Sequence, residues 1–145
     1  MLRSILAVVV GFLVMFVLVA VGHAVVFLAL ELAFDPATME PTPGFMVYAL
    51  ALGVVAALAG GFVAAHLARN PAGLAVYVLA AIIVVSGLAS AAVGALRERP
   101  VTTPQQLAAM SMPERMEYAR EPLWYAFLLP FLGGGGVLVG ARLRG

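Results

Sequence analysis

Cysteine is absent from this 145-residue chain, and so is lysine, since all eight basic residues are arginine. Without cysteine there are no disulfides, thiol nucleophiles or cysteine-ligated metals. Charge of either sign is scarce. Charged residues make up 10% of the sequence and hydrophobic residues 64%, whereas soluble domains carry about 25% charge. Together with a mean hydropathy of +1.10, this excludes an ordinary water-soluble core. A net charge of +1 excludes the extended basic surface that nucleic acid requires, so nucleic acid is not an expected partner.

What is present is hydrophobic length. A helix needs about 20 apolar residues to cross the hydrocarbon of a bilayer. The runs 4–30, 45–68, 72–96 and 123–141 meet or approach that. In lipid the backbone must satisfy its own hydrogen bonds, so each run reads as a helix. Asp35-Pro36, Pro41 to Gly44 and Asn70-Pro71 punctuate the gaps, and Pro122 stands where a fourth helix starts, a position that tolerates a missing N–H. The predicted fold is an all-α membrane protein: a single integral domain over 1–145, built as a four-transmembrane-helix bundle. Arg3 ahead of an apolar stretch resembles a secretory signal, but the run is longer than the roughly 7–15 residues of such signals and reads as an uncleaved first span.

All seven carboxylates lie in two gaps: Glu31, Asp35 and Glu40 in the first, and Glu98, Glu114, Glu117 and Glu121 in the third. Four crossings place both gaps on one side. The other side carries Arg3, Arg69, Arg142 and Arg144. The first gap has no arginine while Arg3 and Arg69 flank it, and the positive-inside rule then places both termini in the cytoplasm. Tyr48, Trp124 and Tyr125 are expected at the outer interface and Tyr77 at the inner one.

The extracytoplasmic segment 97–122 contains Thr103-Pro104-Gln105-Gln106 and Ser111-Met112-Pro113-Glu114. Each has a hydroxyl followed three residues later by Gln or Glu, the signature of a capped helix start. Two short interfacial helices are expected there. They form either a simple cover or a gating or docking element.

Lipid tails are as apolar as leucine, so these spans associate through small residues that allow close approach. Gly60 and Gly61 mark span two, Gly87 marks span three, and Gly136-x-x-x-Gly140 marks span four. Such rows serve packing within the chain or a homo-oligomeric seam. Span one has fewer small residues and is expected to face lipid. Gly133 to Gly136 each cost about 1 kcal/mol of helix propensity, and Pro130 removes a backbone donor. A kinked or broken fourth helix is the expectation.

No carboxylate, Arg, Asn or Gln lies deep in a span. Carriers of charged substrates keep such groups near mid-membrane. The deep polar residues are His23, Ser86 and Ser90. At a rise of 1.5 Å per residue, His23, Ser90 and Pro130 all fall about 10 Å below the outer surface. They define a candidate polar layer in which His23 bonds Ser90 or the carbonyl that Pro130 leaves free. His66 belongs to the opposite end and cannot share a metal with His23. No metal site, cofactor or catalytic residue is assigned. The glycine run lacks the Lys and Ser/Thr of a phosphate loop, and no serine has a histidine at nucleophile–base spacing.

The segments Gly60 to Arg69 and Pro122 to Arg144 resemble those of small, uncharacterised bacterial four-span membrane proteins. The resemblance implies a bacterial cytoplasmic membrane protein and brings no activity with it. The long stretch Arg97 to Glu121 departs from the compact pattern of such proteins. The functional expectation is a non-enzymatic structural or accessory component of the envelope or of a membrane complex. Its partners would be the lipid bilayer and a membrane protein or further copies of itself. The alternative is a small homo-oligomeric channel or carrier for a neutral or apolar solute.

Overall fold

In a computed structural model, which describes residues 2–27, 33–35, 38–69, 73–97, 103–111, 114, 118–119 and 121–144, the chain is helical almost throughout. The helices are α1 (Leu2–Phe27), α2 (Pro43–Ala68), α3 (Leu74–Leu96), α4 (Pro104–Ala109) and α5 (Leu123–Arg142). All but α4 are long and apolar enough to cross a membrane. The fold class read from hydropathy, a four-helix bundle of membrane-spanning type, is the one observed.

Local chemistry sets the boundaries. The Thr42 hydroxyl accepts the Phe45 N–H at 3.3 Å, and Pro43 follows at the first helical position, so α2 starts two residues earlier than its apolar run. Arg69 ends α2 in the left-handed region (φ 57°), with its N–H on the His66 carbonyl. This end of the bundle is the turn end, and the end carrying the 33–42 loop and α4 is the cap end.

Going round the bundle the order is α1, α2, α5, α3, with α2 against both α1 and α5. Two adjacent glycines let α2 pack on both sides. A Cβ on Gly60 would strike Met15 and the Gly11 carbonyl of α1, and one on Gly61 would strike the Val137 backbone of α5. From α5, Gly140 lies on the Leu58 backbone and Gly136 on Ala57. Backbone contact of this kind supplies the dispersion that hydrophobicity cannot supply in lipid. Ala57, Ala64, Ala65, Val76, Leu79 and Val137 fill the core between these seams. Helix α1 is the least covered by the other helices: 17% of its apolar stretch is buried, against 28% in α2 and in α5.

The fourth long helix does not break. Helix α5 runs unbroken through Pro130 and the four glycines, because its neighbours fill most of the gaps. The Pro130 ring lies against Gly87 of α3, Gly133 and Gly134 meet Ile83 and Val84, and Gly136 meets Ala57. Opening the helix in hydrocarbon would strand backbone groups at several kcal/mol each. That exceeds the weak propensity of glycine.

At the cap end the loop folds into a short hairpin with a bridge between Phe34 and Pro41. Asp35 N–H donates to the Glu40 carbonyl and Thr42 N–H to the Ala33 carbonyl, each at 2.9 Å. Ala33, Phe34, Met39 and Leu107 form a second small core, with Val26, Phe45 and Met110 against it. Helix α4 has the full reciprocal cap predicted for it: Thr103 accepts from the Gln106 backbone, and the Gln106 side chain accepts the Thr103 N–H at 3.0 Å. At the second predicted start, the Glu114 carboxylate accepts the Ser111 N–H at 2.7 Å and the Ser111 hydroxyl at 2.6 Å. Those bonds hold the Glu114 carboxyl below its ordinary value of 4.5. Most of the helix expected after Ser111 lies outside the described residues. At the turn end, the Arg144 guanidinium donates to the Ala65 carbonyl, placing a cation at the negative end of α2.

Candidate functional site

The helices that meet so closely at the turn end diverge towards the cap. Two cavities open there. The smaller, about 290 Å³, lies between α1, α2 and α5 and is lined by His23, Phe34, Phe45, Gly53, Glu121 and Tyr125, among others. The larger, about 670 Å³, is more open and lies between α3 and α5, where Ser86, Gly87, Ser90 and Pro130 line it. Phe34, Glu121 and Leu129 border both, so the two adjoin as neighbouring lobes with these side chains between them.

The candidate polar layer is thereby divided between the lobes. His23 lines the smaller lobe, and Ser90 and Pro130 line the larger. His23 Nδ1 sits 2.9 Å from the Val19 carbonyl one turn back in its own helix. A carbonyl only accepts, so Nδ1 carries the proton, and in the neutral ring Nε2 is an acceptor. Nε2 has no hydrogen-bond partner among the described residues and is not sealed from solvent. The Ser86 hydroxyl likewise donates within its own helix, to the Ile82 carbonyl at 2.6 Å. His66 lies at the turn end, stacked on Phe62 with ring centroids 6.3 Å apart.

Tyr125 corrects the sequence reading. It was expected in the outer aromatic belt with Tyr48 and Trp124. Trp124 is 59% exposed and fits that role, but Tyr125 is only 4% exposed. The phenol turns inward from the first turn of α5, edge-on to Trp124 at 5.8 Å. Its hydroxyl has no hydrogen-bond partner among the described residues, yet it keeps accessible surface. The residue lines the smaller cavity. The neighbouring Glu121 is exposed at the mouth and close enough to interact electrostatically with Tyr125. A tyrosine four residues after Glu121 and next to a tryptophan reads as an interface residue; nothing local marks it as inward. Tyr48 instead crosses between helices, its hydroxyl donating to the Gly22 carbonyl at 2.9 Å.

The cleft thus combines apolar walls, aromatic rings and a few polar atoms, the usual make-up of a small-molecule site. Among the described residues no group of three His, Asp or Glu side chains converges as a metal site would. No family model matches the chain, and no curated protein or solved structure matches it either.

Proposed function

We propose that this chain is a multi-pass protein of the bacterial cytoplasmic membrane, with both termini cytoplasmic. In this reading it is a non-enzymatic accessory component of the envelope or of a membrane complex. The observation that supports this reading most is the contrast between the ends: a closed, glycine-sealed turn end and an open cap end with a cleft. A filled half-bundle suits a scaffold. The cap end is then the working end. Native purification in mild detergent, with identification of co-purifying proteins and lipids, tests the reading. A stoichiometric partner supports it, and turnover of a lipid substrate by the purified chain overturns it. For topology, the cysteine-free background allows single-cysteine labelling. Glu40→Cys and Gln105→Cys should both react with an impermeant reagent from the periplasmic side.

A second reading, a homo-oligomeric channel or carrier for a neutral solute, draws on α3. Ser86 and Ser90 are exposed there, and Gly94 has nothing within 4 Å of an added Cβ. A symmetric ring could turn that face inward. Native mass spectrometry with a flux assay in vesicles decides: a ring that conducts supports it, and a monomer that does not removes it.

A further inference from the structure

We infer that the smaller lobe of the cleft binds a lipophilic amine in its protonated form: a single-ring or similarly sized apolar body carrying an ammonium group. The inference rests on reading the cap end as the working end and names what that end would hold.

Hydrogen-bond polarity decides the class of ligand. His23 lines the lobe and has committed its Nδ1–H to Val19, so in the neutral ring Nε2 is an acceptor. Glu121 contributes a carboxylate, which only accepts. Tyr125 contributes an oxygen that accepts as well as donates, on a side chain 4% exposed and without a protein partner among the described residues. The polar atoms are thus richer in acceptors than donors. A ring carbonyl, as in a quinone, needs donors and would find the Tyr125 hydroxyl alone. A phosphate or carboxylate would face Glu121, and no arginine lines either lobe among the described residues. An ammonium group supplies the N–H donors that the acceptors lack.

The walls point the same way. Phe34 and Phe45 sit with ring centroids 5.2 Å apart, and Phe45 meets the His23 ring edge-on at 6.0 Å. With Tyr125 they give the lobe an aromatic lining, and aromatic rings attract a desolvated cation. The volume of about 290 Å³ holds about ten waters at ~30 Å³ each, which suits one ring with a short chain.

The test is titration of the full chain in zwitterionic nanodiscs with 2-phenylethylammonium, its neutral isostere propylbenzene, and phenylacetate. Calorimetry gives affinity, and the single tryptophan, Trp124, reports beside Tyr125. Empty nanodiscs correct for partitioning. The ammonium should bind about tenfold more tightly than propylbenzene, the size of a desolvated cation–aromatic and charge contact. Phenylacetate should bind more weakly than either. Glu121→Gln should weaken the ammonium about fivefold, and Tyr125→Phe by a similar factor. Gly53→Leu provides the fold-neutral check. Gly53 lines the lobe, and a Cβ there meets nothing nearer than Leu129 at 3.9 Å, so a leucine that occupies the lobe should abolish binding. Equal affinity for ammonium and isostere, tighter binding of the anion, or unchanged affinity in a stably folded Gly53→Leu protein would each overturn the inference. These readouts are independent of co-purification, so failure of the accessory role and failure of the amine site are seen separately.

Discussion

At the turn end of the bundle backbone rests on backbone, Gly61 on Val137 and Gly140 on Leu58. At the cap end the same helices stand apart around two cavities, and a hairpin with its own small core closes over them. In lipid, helix association depends on how closely main chains approach. Stability is therefore concentrated where the side chains are smallest. The opposite end is left free to hold side chains, and a ligand, that a close seam would exclude.

Substitutions that add volume at each end test that contrast most severely. Gly140→Val should lower stability by about 3 kcal/mol or prevent folding, because the new atoms overlap the Leu58 backbone rather than a side chain that can turn away. Gly53→Ala, near the cap, should instead be neutral or raise stability by up to about 1 kcal/mol through helix propensity. Thermal unfolding in detergent measures both, and equal losses at the two ends would erase the distinction. Tyr48→Phe removes one bond between α1 and α2 near the cap. It should cost about 0.5–1 kcal/mol by the same measurement, the usual worth of such bonds within a membrane bundle. Thr103→Ala should release the first turn of α4 by about 1 kcal/mol. That loss should appear as faster amide exchange over 105–109 with little change in the melting of the bundle.

The smallest effect is a pH dependence at Ser111. The folded carboxyl of Glu114 is depressed below 4.5 by its bonds to Ser111. Its contribution is therefore present above the ordinary carboxylate value and lost as pH falls through the folded one. The protection of the Ser111 amide, measured relative to its intrinsic exchange rate, should fall as pH drops below the ordinary carboxylate value. Glu114→Gln should remove that dependence and leave the unfolding of the spans unchanged.

The spans, the close-packing glycines and the Thr103 cap were legible because length, residue size and hydroxyl-to-Gln spacing are local properties. Facing was not legible. These helices are apolar nearly all round, so no polar stripe marks which side turns inward, and only glycine and alanine signal contact. Tyr125 carries no such mark, which is why its burial escaped notice. Residue counts set His23, Ser90 and Pro130 at one level along the bundle, and all three line the two lobes towards the cap. Angle about the axis was not readable, and it assigns His23 to one lobe and the other two to the next. The continuity of α5 depends on what Ile83, Val84 and Gly87 present from another helix, which propensity along a single segment cannot contain.

The seat of the Pro130 ring on Gly87 also shapes how the chain can diverge. A proline in a long span is tolerated here because one facing position has no side chain, and that vacancy is useful only while the ring fills it. Enlarging residue 87 strikes the ring, and trimming residue 130 leaves a hole. Over time the two sites should therefore change in concert, with a bulkier residue on α3 accompanying replacement of the imino acid on α5.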